Sequence, residues 1–378
     1  MVSQVATEDY YEGYWFDNYT YSKEDDMDAS PCTLEETWQF TQLFIPVVYI
    51  MIFILALVGN VLVVCVVQRY RHTHHNHCSF SLTDTFLLHL AISDLLLALT
   101  LPLFAMQWIY GWVFGITLCK LAGALFWLNI YCGVLFLACI SFDRYLAIVH
   151  AVHTSWRRNT CLAQLACALI WVCCLGLAAI EIHFRDVQEL RGSGVHQVCR
   201  VDISGGNAER WHFAMQLLNL LLGFGLPLLV MLYCYVRIFQ ALCHASTRRQ
   251  KRRSLRLIIS LVAVFVACWA PYNVLKMTDS LQLLGLIQSS CGLHRMLDIG
   301  ILVTESMGLS HCALNPLLYG LVGVKFRREL TLMCKEALGP RGSLRLRGLA
   351  QGQGSKHRPP GSFSSADSEN TSYFSVMA

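Results

Sequence analysis

Residues 40–67 read FTQLFIPVVYIMIFILALVGNVLVVCVV, 28 positions without a single Asp, Glu, Lys or Arg. A helix rises about 1.5 Å per residue, so roughly 20 apolar residues cross a hydrocarbon core of about 30 Å. Six further stretches of this kind follow, at approximately 85–109, 120–148, 161–181, 211–236, 257–278 and 298–322. None alternates in the manner of the segments of about 10 residues that build a membrane β-barrel. The whole chain is 55% hydrophobic and 14% charged, whereas a soluble chain carries roughly a quarter charged residues. The expected fold is an all-α membrane protein, a seven-transmembrane helix bundle over 40–322. An acidic, unfolded segment over 1–39 precedes it, and a short amphipathic eighth helix with a disordered tail over 323–378 follows. The acidic start has no short apolar core preceded by lysines, so no cleavable signal peptide is expected and the first span serves as the insertion signal.

Charge sets the orientation. Arg69 and Arg71 follow span one, and Arg157 and Arg158 lie between spans three and four. Arg248, Arg249, Lys251, Arg252, Arg253 and Arg256 lie between spans five and six, and Lys325, Arg327 and Arg328 follow span seven. Cationic connectors stay in the cytoplasm. All four segments are therefore inside, and an odd number of crossings leaves the N-terminus outside. The membrane accounts for the basic charge, so no nucleic-acid partner is expected.

Of 17 cysteines, most lie within spans, among them Cys65, Cys139, Cys173, Cys174 and Cys234, where a thiol packs as a small apolar group. Cys32, Cys119, Cys199 and Cys291 fall on the outer side. An even number in an oxidising medium implies two disulfides, and spacing alone leaves three pairings open. The cluster His72, His74, His75, His77 reads as a solvated loop rather than a metal site.

A charged side chain in the bilayer costs ~3 kcal/mol or more, so each one needs a reason. Asp94 is mid-span, and Asn60, Asn129 and Asn315 are equally deep in other spans. One carboxylate with several amides suits either a small cation or a hydrogen-bonded knot between helices. Glu305 lies in the outer third of span seven and Asp279 near the outer end of span six; an acidic pocket open to the outside would attract a basic ligand, with a solvated interfacial acid as the other reading of Asp279. Pro102, Pro227, Pro271 and Pro316 kink their helices and leave room for a cavity and for motion.

Five motifs stand in order at matching depths: Gly59-Asn60-Val61-Leu62-Val63, Leu90-Ala91-Ile92-Ser93-Asp94, Asp143-Arg144-Tyr145, Cys268-Trp269-Ala270-Pro271-Tyr272 and Asn315-Pro316-Leu317-Leu318-Tyr319. Over about residues 32–335 the chain resembles the rhodopsin-like G-protein-coupled receptors. Thr100-Leu101-Pro102, Asp143 to Ala151 (DRYLAIVHA) and His311 to Pro316 (HCALNP) look like the chemokine receptors among them. Thr83 to Leu90 and Val322 to Arg327 are most similar to the type-three branch of the CXC chemokine receptors. The run from Tyr145 to His153, with Glu305 and its neighbours, is nearer the type-five branch.

The resemblance implies a division of labour. Cys119 would pair with Cys199, and Cys32 with Cys291. Phe104, Phe126, Trp127, Asp279, Asp298 and Glu305 would line the ligand cavity. Asp143 would hold Arg144 inactive until span six swings out and a heterotrimeric G protein binds. Tyr145, Pro271 and Pro316 belong to the same switch; Trp269 would be the rotamer-sensitive floor, and Tyr235 and Tyr319 would meet through water in the active state. Asn60, Asp94, Asn129 and Asn315 would form an allosteric sodium site. The pattern departs at Gly133, where many relatives carry serine, and in span four, which reads Leu177-Ala178-Ala179-Ile180 without the usual outer proline. The intact Asp143-Arg144-Tyr145 favours signalling over scavenging.

Residues 1–36 hold ten Asp or Glu and one Lys, interleaved with Tyr10, Tyr11, Tyr14, Tyr19 and Tyr21. Such a polyanion cannot fold alone, and it steers a basic protein toward the membrane. Tyrosines beside acids are substrates for sulfation, and Asn18-Tyr19-Thr20 is an N-glycosylation acceptor. On the inner side, the amphipathic run from Lys325 to Leu330 suits an interfacial helix on anionic lipid, with Cys334 as a palmitoylation site. Ser362, Ser364, Ser365, Ser368, Thr371, Ser372 and Ser375 suit receptor kinases and arrestin. The expected function is a receptor for a basic CXC chemokine, signalling through a G protein of the Gi type and driving leukocyte chemotaxis. A chemokine scavenger is the alternative. The spans contain no convincing nucleophile–base pair or metal cluster for an enzyme, and no internal repeat of the transporter kind.

Overall fold

The computed structural model describes residues 35–73, 82–150, 160–191, 195–203, 208–244, 249–288, 290–322, 326–334 and 336. Helices are α1 (Glu35–Thr73), α2 (Leu82–Ala98), α3 (Leu101–Tyr110), α4 (Gly115–Ile148), α5 (Thr160–Phe184), α6 (Ala208–Leu220), α7 (Leu226–His244), α8 (Arg249–Leu283), α9 (Cys291–Leu309) and α10 (His311–Val322). A two-stranded sheet, β1 (Arg185–Arg191) and β2 (Val195–Val201), lies between α5 and α6.

Six crossings are long apolar helices at Thr41–Tyr70, Leu82–Tyr110, Gly115–Ile148, Cys161–Phe184, Ala208–Ala241 and Ile258–Leu283. The seventh is built in two pieces, α9 and α10, separated by a turn at Ser310. Each piece is shorter than the roughly 20 residues a crossing needs, and only together do they span. Span two is likewise divided, by the turn before Pro102, where the Thr100 hydroxyl donates to Leu97 O at 2.7 Å. Span five contains a π turn, Leu221–Gly225, just ahead of Pro227, and a π turn beside a proline is a recognised origin of a helix bend. Span four runs on as helix to Phe184 and passes straight into β1. Helix α8 begins at Arg249, so most of the basic segment expected as a loop extends span six.

Side chains that face lipid, such as Leu43, Val58, Leu169, Val172, Leu229 and Phe239, are exposed, as a hydrocarbon solvent allows. Span three (α4) is the most enclosed crossing and packs against α2, α5 and α7. Its buried face carries Trp127, Tyr131, Phe136, Leu137 and Ile140.

Spans one and seven meet through a glycine. A Cβ on Gly59 would stand 2.8 Å from Pro316 Cβ, so only glycine admits this approach. Proline at 316 has no N–H for the carbonyl four residues back, which is Cys312 O. Asn60 Nδ2 supplies the missing donor, reaching Cys312 O at 2.9 Å and Ala56 O at 3.0 Å. Within a bilayer an orphaned carbonyl finds no water, so this replacement is structural. Beyond span seven, residues 326–334 are helical, and Arg69 Nη2 donates to Glu336 Oε1 at 2.5 Å, tying them to span one. That bond holds the Glu336 carboxyl below the usual carboxylate range.

Candidate functional site

Three polar layers cross the bundle. The outermost is a cavity of about 290 Å³ beneath the β1–β2 hairpin. The Cys119–Cys199 disulfide anchors the hairpin to the top of span three, with Cα atoms 5.5 Å apart. Gln107 Oε1 accepts from Cys199 N at 2.9 Å, and Trp112 packs fully buried against the disulfide. Tyr49, Phe104, Trp108, Phe126, Trp127 and Tyr272 make the aromatic walls. Four acids line it, Glu181, Asp279, Asp298 and Glu305, but so do the cations Arg185, Arg200 and Lys276. Lys276 Nζ lies 3.4 Å from Asp279 Oδ2. Asn219 Nδ2 donates to Glu181 Oε1 at 3.0 Å and Asn219 Oδ1 accepts from the Tyr131 hydroxyl, joining spans four, five and three. The pocket is thus a patterned field of both signs and not a purely acidic well.

Trp269 sits one layer below this cavity, under Tyr272, with ring centroids 5.6 Å apart in an edge-on arrangement. Trp269, expected at the floor, is not itself among the residues that line the cavity. A Cβ on Gly308 would stand 2.9 Å from the Trp269 ring, so this glycine is the seat of the indole. His311 lies beside it and donates through Nδ1 to Gly308 O at 2.7 Å.

The middle layer is centred on Asp94, which is fully buried. Asn129 Nδ2 donates to Asp94 Oδ1 and to Ser93 Oγ, both at 2.9 Å, and Asn315 Nδ2 donates to Asp94 Oδ2 at 2.8 Å. His311 Nε2 faces Asp94 Oδ1 at 3.7 Å. Asn60 belongs to the neighbouring span one–seven contact, with its amide donors turned to backbone carbonyls. The oxygens Asn129 Oδ1 and Asn60 Oδ1 are buried without a hydrogen-bond partner.

The innermost layer is a latch. Arg144 Nε donates to Asp143 Oδ2 at 3.1 Å, and Nη2 also reaches this carboxylate. Thr83, on span two, accepts from Arg144 Nη2 at 2.5 Å and donates to Asp143 Oδ2 at 2.8 Å. The ring of three bonds is almost wholly buried, so both ionised groups depend on it. Tyr235 shares a hydrogen bond with Ser141 at 2.8 Å. The Tyr319 hydroxyl is buried without a partner, and its ring stands 6.4 Å from that of Phe326. Tyr145 meets His150 Nε2 at 2.8 Å.

Comparison with known proteins agrees with this architecture. Residues 59–319 match the family model of the 7 transmembrane receptor (rhodopsin family). The chain is 67% identical over 362 residues to a C-X-C chemokine receptor type 3-2 of Danio rerio, covering 96% of this chain and 95% of the relative. It is 42% identical over 306 residues to a C-X-C chemokine receptor type 3 of Bos taurus, covering 81% and 80%. A C-X-C chemokine receptor type 5 of Rattus norvegicus follows at 40% over 308 residues, covering 81% of each. The chain belongs to the chemokine receptors of the rhodopsin family.

A chemokine receptor is a multi-pass plasma-membrane protein and not an enzyme, and the two type-three relatives above are more similar to this chain than the type-five one, as the motifs suggested. Of the expected ligand-site residues, Phe104, Phe126, Trp127, Asp279, Asp298 and Glu305 all meet in the receptor's outer cavity. Tyr10, Tyr11, Tyr14, Tyr19, Tyr21, Asn18, Cys32, Ser364, Ser365, Ser368, Thr371 and Ser372 lie outside the described residues. Cys291 is disulfide-bonded. Cys334 is a free, exposed thiol.

Five residues of the receptor's polar layers were missed. Glu181 had a readable signal, a carboxylate closing an otherwise uncharged run. Arg185 and Lys276 looked like ordinary interfacial cations, and His311 like part of a motif dominated by its Asn-Pro. Thr83, at the cytoplasmic end of span two, was read only as the start of a family motif and given no role of its own.

Proposed function

We propose that this receptor binds a basic CXC chemokine in two contacts and relays the event to a heterotrimeric G protein of the Gi type, driving leukocyte chemotaxis. The acidic residues 1–36, carrying sulfated tyrosines, capture the ligand by charge, and ordering on binding adds selectivity. The ligand's N-terminus then enters between the helices toward Glu305, Asp279, Asp298, Phe126 and Trp127. Binding shifts the receptor only so far as the ligand prefers the active bundle. The change passes through Trp269 and the Asp94 layer to the Thr83–Asp143–Arg144 latch, whose opening frees Arg144 for the G protein.

The observation that carries this reading is the latch: a buried arginine, held by its neighbour and by one hydroxyl of span two, is a switch in its closed position. A scavenger has no need of a releasable arginine.

Sodium is the proposed allosteric ion of the middle layer. The Asp94 carboxylate, Ser93 Oγ and the unpartnered Asn129 Oδ1 offer the oxygen donors a hard cation takes. Gly133 contributes no hydroxyl, and His311 adds a nitrogen where an oxygen would serve better. When bound, the ion would supply positive charge against Asp94 and so favour the closed bundle. Receptor kinases and arrestin act on Ser364, Ser365, Ser368, Thr371 and Ser372, and Cys334 carries a palmitoyl chain at the lipid surface.

The experiment is a binding screen of purified, labelled CXC chemokines on cells expressing the full chain and a form lacking residues 1–31. At least one basic chemokine should bind the full chain with high affinity, and the shortened form should lose most of that binding. Equal binding to both would refute the two-contact reading.

A further inference from the structure

Arg185 is the first residue of β1, and its side chain turns down from the hairpin into the outer cavity. It enters at Gly123 of span three. A Cβ at Gly123 would stand 2.7 Å from the Arg185 guanidinium carbon and nearer still to Nε and Cδ. The guanidinium therefore rests on bare helix backbone, in a notch that glycine alone leaves open. Its Nε is buried without a partner, and Nη1 has the Cys199 sulfur as neighbour at 3.7 Å. Among the described residues the group forms no ion pair within 4 Å. Two acids line the same cavity, Glu181 of span four and Glu305 of span seven, and they share its charge with that of Lys276.

This placement is costly by itself. A buried cation with an unsatisfied donor and only distant counter-charges is poorly solvated, and burial pulls the Arg185 pKa below its ordinary value. The two acids are poorly placed without it, since among the described residues neither has a cation within 4 Å and Lys276 reaches both only from farther away. Each needs a positive charge in the space between them, and any cation that satisfies them better than Arg185 does will displace it.

We propose that Arg185 is a tethered stand-in for the ligand: in the ligand-free receptor it supplies the positive charge between Glu181 and Glu305 that the basic N-terminal end of a bound ligand supplies instead. Gly123 is the seat that admits it. This rests on the chemokine reading above. Arg185 then sets specificity, because a ligand must carry a cation at its N-terminal end to replace it, and a ligand that is neutral there gains nothing by entering.

Two arms test it on full-length receptor. The first needs no chemokine. In detergent-purified protein, Arg185→Ala removes the guanidinium that faces the two acids and leaves only the more distant Lys276, and millimolar ethylguanidinium should raise its Tm by several degrees while leaving wild type unmoved. An equal response of the two proteins would overturn the proposal. The second arm uses whichever purified CXC chemokine binds wild type, together with the same chemokine truncated at its N-terminus. Arg185→Gln should tighten binding of the intact chemokine by about tenfold and leave the truncated one unchanged, because a competing charge has been removed only where the N-terminus reaches. Gly123→Ala keeps the arginine but closes its seat, and should shift binding in the same direction. Unchanged or weaker binding of the intact chemokine by both variants would overturn it. If no chemokine binds wild type, the two-contact reading fails, while the ethylguanidinium arm still decides whether the site takes a cation.

Discussion

His311 Nε2 stands 3.7 Å from Asp94 Oδ1, and the other edge of the same imidazole lies against the Trp269 indole, with ring centroids 5.7 Å apart. Trp269 Nε1 approaches His311 Nδ1 at 3.3 Å, but Nδ1 also lies 2.7 Å from Gly308 O. One ring nitrogen cannot donate its proton and accept another at once. The shorter contact takes the proton, so the indole is held by packing on Gly308 and on the imidazole face. One ring thus joins the residue under the ligand cavity to the buried carboxylate.

That junction predicts a separation of binding from response. His311→Ala should leave chemokine affinity within about threefold and lower agonist-stimulated nucleotide exchange by about 3- to 30-fold, the range expected when a coupling residue is lost. Radioligand binding and exchange measured on the same membranes check it, and a parallel loss of both would place His311 in the ligand site instead.

The latch predicts constitutive activity from a mild change. Thr83→Val keeps the shape of the side chain and removes the hydroxyl that accepts from Arg144 and donates to Asp143. A hydrogen bond to a charged group contributes about 1.5–3 kcal/mol, so basal exchange should rise by roughly tenfold or more. Basal exchange at the wild-type level, with normal surface expression, would mean that Thr83 does not hold the switch.

The span one–seven contact predicts a stability effect without a signalling phenotype of its own. Asn60→Leu leaves Cys312 O facing Pro316 with no donor, and an unsatisfied buried carbonyl costs about 1–3 kcal/mol. Gly59→Ala forces a Cβ to 2.8 Å from Pro316 and costs a similar ~1–3 kcal/mol by overpacking. Thermal unfolding in detergent should show a lower Tm for both variants.

The middle layer predicts a loss of ion sensitivity. If sodium binds at Asp94, raising NaCl in place of choline chloride should weaken agonist binding to wild type, and Asp94→Asn should abolish that dependence. Agonist affinity insensitive to sodium in wild type would remove the ion from the account and leave the layer as the hydrogen-bonded knot that Asn129 and Asn315 already form.

Seven crossings were readable because hydrocarbon thickness imposes a length on every uncharged run, and the connectors' lysines and arginines impose a direction. The depth of Asp94, Arg144 and Glu305 was readable for the same reason, since polar residues stand out against an apolar background. What was hidden depends on three-dimensional juxtaposition. Asn60 was grouped with Asp94, Asn129 and Asn315 as a sodium site because all are deep and polar, and the donor debt left by Pro316, which takes its Nδ2, was not visible. The break at Ser310 and the π turn before Pro227 are local choices of hydrogen-bond pattern that hydropathy does not register. Arg185 lies just past a span end, where a cation is unremarkable until Gly123 is found beneath it. Thr83 became legible only when Arg144 was seen to cross from span three to span two.

The central claim is that this chain converts chemokine binding into G-protein activation through Arg144. Nucleotide exchange on purified Gi heterotrimer, in membranes bearing the receptor, tests it most directly. A basic CXC chemokine should accelerate exchange with wild-type receptor, and Arg144→Ala should abolish that acceleration while retaining surface binding. Chemokine uptake by wild type without any acceleration of exchange would contradict the account and make the chain a scavenger.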